Sequence, residues 1–306
     1  MSFFAFVLII SSAVLHASWN LMAKRGRMSV PFYTVICSMC MLVWSHVLFW
    51  TPIDLLALPT PFWIYLGGSV ASDLVYCYGL MMAYRVLEMS TAYPVMRALP
   101  ILLTVVVTAV FGLGSPLSPM AKLGMVVVCA GCLLMPLTKF AEFRPAKYFN
   151  SDMLFVLVTA CGTTGYTIFD SQAQRIMTAA MADYAKPLRA ITYYSVRVVL
   201  LTSSLWLVVM LSPSNRAQMR EFFAARNWTP CLAGIFASAT YVLVLLSMNY
   251  VTNVSYVQVF RQLGLPIGML AGVFVLKERC TLTKSVGVGL ILLGLLLTCI
   301  QDLLPS

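Results

Sequence analysis

Ten apolar runs, each close to twenty residues long, follow one another with only short polar joints between them. They lie near 2–22, 31–50, 62–84, 92–112, 120–138, 152–173, 190–211, 229–248, 255–276 and 284–301. A helix rises 1.5 Å per residue, so about 20 residues cross roughly 30 Å of bilayer hydrocarbon. Alternating barrel strands are not seen. The expected fold is all-α integral membrane, with ten transmembrane helices. Composition agrees: only 10% of residues are charged, against about 25% in a soluble domain.

The joints carry most of the charge. The net +10 therefore reads as topology and headgroup contact rather than nucleic acid binding. Joints after runs 1, 3, 5, 7 and 9 hold thirteen Lys and Arg, whereas the other side holds four, Lys122, Arg175, Lys186 and Arg189. The positive-inside rule then puts both termini outside the cytoplasm. No joint is long enough for a soluble domain. The first run lacks a basic n-region and contains His16 and Asn20, so it does not read as a secretory signal.

The chain repeats. With Gly68 on Gly234, Ala71 meets Ala237 and Ser72 meets Ser238. Arg97 meets Arg261, Gly124 meets Gly287 and Gly131 meets Gly294, as the offset drifts from 166 to 163. Each half holds five runs. Five is odd, so the halves must be inverted, an arrangement typical of transporters with a central site. The expected units are two inverted five-helix repeats, residues 1–150 and 151–306.

Arg97 and Arg261 each lie about six residues inside an apolar run, roughly 9 Å from its start. Inversion places them at opposite depths, roughly 12 Å apart along the membrane normal. A charge there costs about 2.5–3.5 kcal/mol on insertion scales, so it faces the bundle interior or water. Both are substrate-binding candidates, forking to a carboxylate or phosphate. The bland alternative is pairing with Asp73 or snorkelling to the interface. Asp73, near the midplane, either carries a coupling proton or neutralises Arg97 on the neighbouring helix. His16, Trp19 and Asn20 line the cavity or anchor and bond their helix. Tyr76, three after Asp73, and Tyr166, four before Asp170, offer hydroxyls and ring faces. Asp170 falls near a run's end, as a gate residue or a ligand. Gln258 shares a face with Arg261. The small-residue ladders Gly264/Gly268/Gly272 and Thr104/Thr108/Gly112 read as packing seams.

The pairs Cys37/Cys40 and Cys129/Cys132 sit inside apolar runs with no nearby His or acid. They read as small apolar packing, with no metal or cofactor expected.

Three segments carry a resemblance. HASWNLMAKRG at 16–26, GYTIFDSQA at 165–173 and VFVLKERCTLTKSVGVGLILLGLLL at 273–297 resemble the EamA group of the drug/metabolite transporter superfamily, in order and spacing across the chain. The resemblance implies ten helices in two EamA-like repeats, transport of small organic solutes without ATP, and cytoplasmic termini. The last implication opposes the charge count. The first half departs from the pattern, with Ser115 where the second has Glu278.

The expected function is secondary active transport of a small polar metabolite, anionic or zwitterionic, by alternating access. The expected location is a multi-pass protein of the bacterial inner membrane. Expected partners are the small-molecule substrate, protons as coupling ion and membrane lipids, with a homodimer left open and no nucleic acid. The alternative is efflux of lipophilic cations on Asp73 and the tyrosines. An intramembrane enzyme on a lipid-linked substrate ranks lowest. D-D-x-x-D, H-E-x-x-H, G-x-S-x-G and P-loop motifs are all missing, so the chain is not expected to be an enzyme.

Overall fold

The computed structural model describes residues 3–23, 29–87, 89–142, 150–225, 228–276 and 280–303. All regular structure among the described residues is helical. The first half contains α1 (Phe3–Ala23), α2 (Val30–Trp44), α3 (Val47–Trp50), α4 (Thr60–Val86), α5 (Met89–Val110) and α6 (Pro119–Leu134). The second contains α7 (Met153–Ala180), α8 (Lys186–Leu211), α9 (Pro213–Ala224), α10 (Thr229–Met248), α11 (Val254–Phe260), α12 (Gly264–Leu276) and α13 (Leu282–Leu303).

Helix therefore occupies all ten apolar runs. Among the described residues, six stretches are long and apolar enough to cross a membrane: Val30–Trp50, Ala92–Val110, Met153–Ala180, Lys186–Leu211, Thr229–Met248 and Leu282–Cys299. This is a multi-pass pattern. Boundaries follow local chemistry. Ser29, Ser118 and Ser212 cap α2, α6 and α9 by accepting from Phe32, Ala121 and Asn215 backbone N–H groups, each with a proline in the first turn. Gly112, at φ 62°, ends α5 in the left-handed conformation. The Leu113 amide then reaches back to the Thr108 carbonyl at 2.9 Å, a Schellman arrangement.

Three expectations shift. The run read as 152–173 continues as helix to Ala180, because its polar continuation is buried and hydrogen-bonded. The joint after Leu211 forms α9, which tucks Met219 against Val35 and Val209. The run at 255–276 is not one helix, since it passes through a 3₁₀ turn at Arg261–Leu263.

Packing is antiparallel and glycine-dependent. Along α4 and α7, Gly79 abuts Thr159, Gly162 abuts Tyr76 and Gly165 abuts Ser72. Between α1 and α10, Ser12 Oγ donates to the Thr240 carbonyl at 3.1 Å, and just past the end of α10 the Tyr250 ring meets that of Phe4 at 5.0 Å. In each case the first long helix of one half packs on the third long helix of the other. The last helices, α6 and α13, pack on each other through Gly124/Gly294 and Gly131/Gly287. The expected seam at Gly268 is not one: a Cβ there meets no atom within 4 Å.

The loops gather at two ends. At one, the Ser115 amide donates to Thr252 O (3.1 Å), Asn253 Nδ2 to Ser115 O (3.0 Å) and the Tyr184 hydroxyl to Pro52 O (3.0 Å). At the other, Thr281 Oγ1 donates to Leu137 O at 3.4 Å. The cysteine pairs are packing groups. Cys37, Cys40, Cys129 and Cys132 are buried, with the Cys40 and Cys129 thiols donating to the carbonyls of Gly234 and Ala98.

Candidate functional site

The candidate residues separate into two centres, each built around arginine. The first is organised by Arg197 on α8, which the sequence analysis did not single out. Arg197 NH2 meets Asp73 Oδ2 at 2.8 Å, and Nε meets Asp170 Oδ1 at 3.1 Å. Nε also donates to Ser69 Oγ at 2.8 Å. Asp170 accepts further from Tyr193 at 2.6 Å, from Ser69 and from Tyr241. Asp73 Oδ1 accepts from Tyr33 at 3.0 Å. The guanidinium stands 4.9 Å from the Tyr241 ring centroid and 5.8 Å from that of Tyr166. Buried charges are tolerated when paired and hydrogen-bonded, and each of these three is.

Two expectations are corrected here. Asp73 does not neutralise Arg97, because Arg197 approaches it from α8 instead. Asp170 is not at a span end: its side chain is 0% exposed, ten residues before α7 stops at Ala180. Arg197 carried the same signal as Arg97, an arginine inside an apolar run. The equivalent run of the first half, 31–50, holds no arginine, so the internal repeat does not point to it. Tyr166 and Tyr76 do join this centre. Tyr166 packs edge-on against Tyr76 at 5.9 Å and Tyr241 at 6.0 Å.

The second centre holds Arg97, Arg261, His16 and Gln258. Pro94 and Pro100 flank Arg97 in α5, removing helical N–H donors on either side of it. Arg261 opens the 3₁₀ turn between α11 and α12, and its NH1 donates to Gln258 Oε1 at 3.4 Å. Irregular backbone at membrane depth is tolerated where protein or a cavity surrounds it. Gly264, three residues on, makes room. A Cβ there would lie 3.5 Å from Arg97 NH2, 3.7 Å from Ala13 O and 4.0 Å from His16 Cδ2. So the Arg97 head reaches to within one helical turn of Arg261. His16 is within electrostatic reach of both arginines.

This centre is chemically unlike the first. Both ion pairs found among the described residues belong to Arg197. Arg97 contacts the Tyr93 ring at 5.8 Å, and its buried Nε has no hydrogen-bond partner. Both Arg97 and Arg261 are half-buried. Trp19 and Asn20 belong to α1, but their side chains lie outside the described residues, as does Glu278. Tyr76 and Tyr84 pack against one apolar cluster that includes Ala92 and Met96 of α5. Tyr76 is in electrostatic reach of Tyr84, and Tyr84 of Tyr93 and Arg97.

No family model matches this chain, and no curated protein matches it. It is similar to a solved crystal structure, described only as that of a protein, with a TM-score of 0.67 and 14% sequence identity. The match covers 97% of this chain and 96% of that one. At that identity the likeness establishes a shared fold across the full length and nothing about chemistry.

Proposed function

We propose that this protein is a secondary active transporter of the EamA-like type, moving a small anionic or zwitterionic metabolite by alternating access. One observation carries the reading. Arg97 reaches Gly264 beside His16, three residues along the chain from Arg261, and neither arginine is paired with a carboxylate among the described residues. Two uncompensated guanidiniums within a bundle attract an anion, and a carboxylate or phosphate fits their forked donors. The broken helix at Arg261 supports the same reading, since discontinuous helices supply transporter sites.

The ten-span inverted-repeat architecture is part of the proposal. Equivalent helices pack equivalently, α4 on α7 and α1 on α10. Exchanging the halves also turns the Gly124/Gly294 contact into Gly287/Gly131. Alternating access would rock one half on the other. The end latched by Ser115, Thr252 and Asn253 would be closed, and substrate would shift the population of states. The proposed location is the bacterial inner membrane.

Efflux of lipophilic cations is less well supported. It needs an acid free to meet the cation, and both buried candidates, Asp73 and Asp170, are already held by Arg197. The test is a thermal-shift screen of detergent-purified protein against anionic, zwitterionic and cationic metabolites. Stabilisation by an anion or zwitterion, lost in both Arg97→Ala and Arg261→Ala, is the expected result. Stabilisation by cations alone, unchanged in those variants, overturns it.

A further inference from the structure

Two carboxylates and one guanidinium are shut together between α4, α7 and α8. With all three ionised the group carries −1 in a place where unbalanced charge is strongly disfavoured. We propose that this Asp73–Arg197–Asp170 group binds and releases one proton, on Asp73, and that this proton is the coupling ion. The coupling role rests on the transport reading; the proton site does not.

The hydrogen bonds decide which carboxylate takes the proton. Asp170 accepts from four donors, Ser69, Tyr193, Tyr241 and Arg197, and its side chain is 0% exposed. Asp73 accepts from two, Tyr33 and Arg197, and keeps 8% exposure. Four donors fill the lone pairs of the Asp170 carboxylate, whereas Asp73, with two, keeps lone pairs open to a proton. From α2, Tyr33, Cys37 and Cys40 face Asp73; from its own helix, Tyr76 and Cys77 do. Arg197 is the cation among these groups. A proton from water adds to the Asp73 carboxylate. The proton takes Oδ2, the oxygen that faces Arg197, so the Arg197 NH2 bond there loses its charge, while the Tyr33 hydroxyl keeps donating to Oδ1. No other bond changes.

The proton also alters how helices are tied. Ionised Asp73 holds Arg197, and hence α8, to α4 and through Tyr33 to α2. Neutral Asp73 leaves Arg197 paired with Asp170 on α7, which Tyr241 joins to α10. One proton thus moves an arginine's allegiance from the first half to the second, a direct way to bias two states of the bundle.

The experiment is an infrared pH titration of the purified protein in lipid membranes, read at the stretch of buried protonated carboxyl groups. A band that fades as pH rises should vanish in Asp73→Asn and survive in Asp170→Asn. If Asp73→Asn does not fold, Asp73→Glu should keep the band and shift its midpoint. A wild-type band untouched by substitution at Asp73, or no band at all, overturns the site. Coupling is read in liposomes loaded with a pH-sensitive dye and given the anions from the thermal screen. Wild type should move protons with the anion, and Asp73→Asn should bind the anion without moving protons. A titrating Asp73 with no anion-driven proton flux removes the coupling role alone. Loss of anion binding in the arginine variants is a separate readout, so the two proposals fail independently.

Discussion

A Cβ on Gly124 would stand 2.5 Å from the Gly294 carbonyl oxygen, and a Cβ on Gly294 would stand 2.5 Å from that of Gly124. The same reciprocity joins Gly131 and Gly287, at 2.6 and 3.0 Å. These are backbone-to-backbone approaches between α6 and α13, so no side chain can swing aside. Overpacking of this kind costs about 1–3 kcal/mol. Gly124→Ala and Gly131→Ala should each lower the thermal midpoint in detergent. Gly289→Ala, on the same α13, meets nothing within 4 Å and gains helix propensity of about 1 kcal/mol. It should be neutral or stabilising. Equal midpoints for Gly124→Ala and Gly289→Ala would contradict the packing.

Gly264 tests the second centre without touching an arginine. A single methyl there makes only ordinary contacts, the nearest at 3.5 Å to Arg97 NH2. Gly264→Ala should therefore fold normally and keep anion stabilisation. A leucine would occupy the volume held by the Arg97 head and the His16 ring edge. Gly264→Leu should fold yet lose at least tenfold in apparent anion affinity, about 1.4 kcal/mol. Unchanged affinity in Gly264→Leu would place the anion elsewhere.

The latch between the halves makes a local prediction. Asn253 caps α11 through the Ser255 amide at 2.9 Å and also donates to Ser115 O at 3.0 Å. Arg175 NH2 supports Thr252 O at 3.1 Å. Replacing Asn253 with alanine removes both roles, a cap alone being worth about 1 kcal/mol. Amide hydrogen exchange at Ser115, whose N–H is held by Thr252 O, should accelerate at least fivefold in Asn253→Ala. The α6 amides beyond Ala121 should be unaffected. Exchange rising uniformly along α6 would mean unfolding rather than unlatching.

Helix positions were legible because apolar length in a bilayer leaves few alternatives. The Arg97/Arg261 match rests on a different argument: two charges at equivalent places in the two halves of the sequence need a common explanation. Arg197 shows what was not legible. Its partners Ser69, Asp73 and Asp170 lie on two other helices, 128, 124 and 27 residues away, and sequence spacing carries no record of which helix faces which. The misplaced end of α7 has a related cause. Its Ser171, Gln174 and Arg175 look like a joint by hydropathy, yet Gln174 is buried and donates to Leu245 O at 3.4 Å. Polar residues satisfied by a neighbouring helix extend a span that composition alone would stop.

The final prediction concerns how the first centre holds together. Arg197→Met keeps much of the side-chain volume and removes the charge, leaving Asp73 and Asp170 buried with no cation. Breaking a buried ion pair from one side costs about 3–5 kcal/mol. Asp73→Asn instead leaves Arg197 balanced against Asp170, with Tyr33 still bonded to the amide oxygen. It should cost clearly less. Asp170→Asn falls between, because Asp73 can still balance Arg197 while the Ser69, Tyr193 and Tyr241 hydroxyls lose their charged acceptor. The expected order of thermal midpoints is therefore wild type, Asp73→Asn, Asp170→Asn and last Arg197→Met. Adding Asp170→Asn to Arg197→Met removes one of the two stranded charges and should recover part of the loss. A double variant less stable than Arg197→Met by the full Asp170→Asn increment would mean the two side chains act independently, which their 3.1 Å contact does not allow.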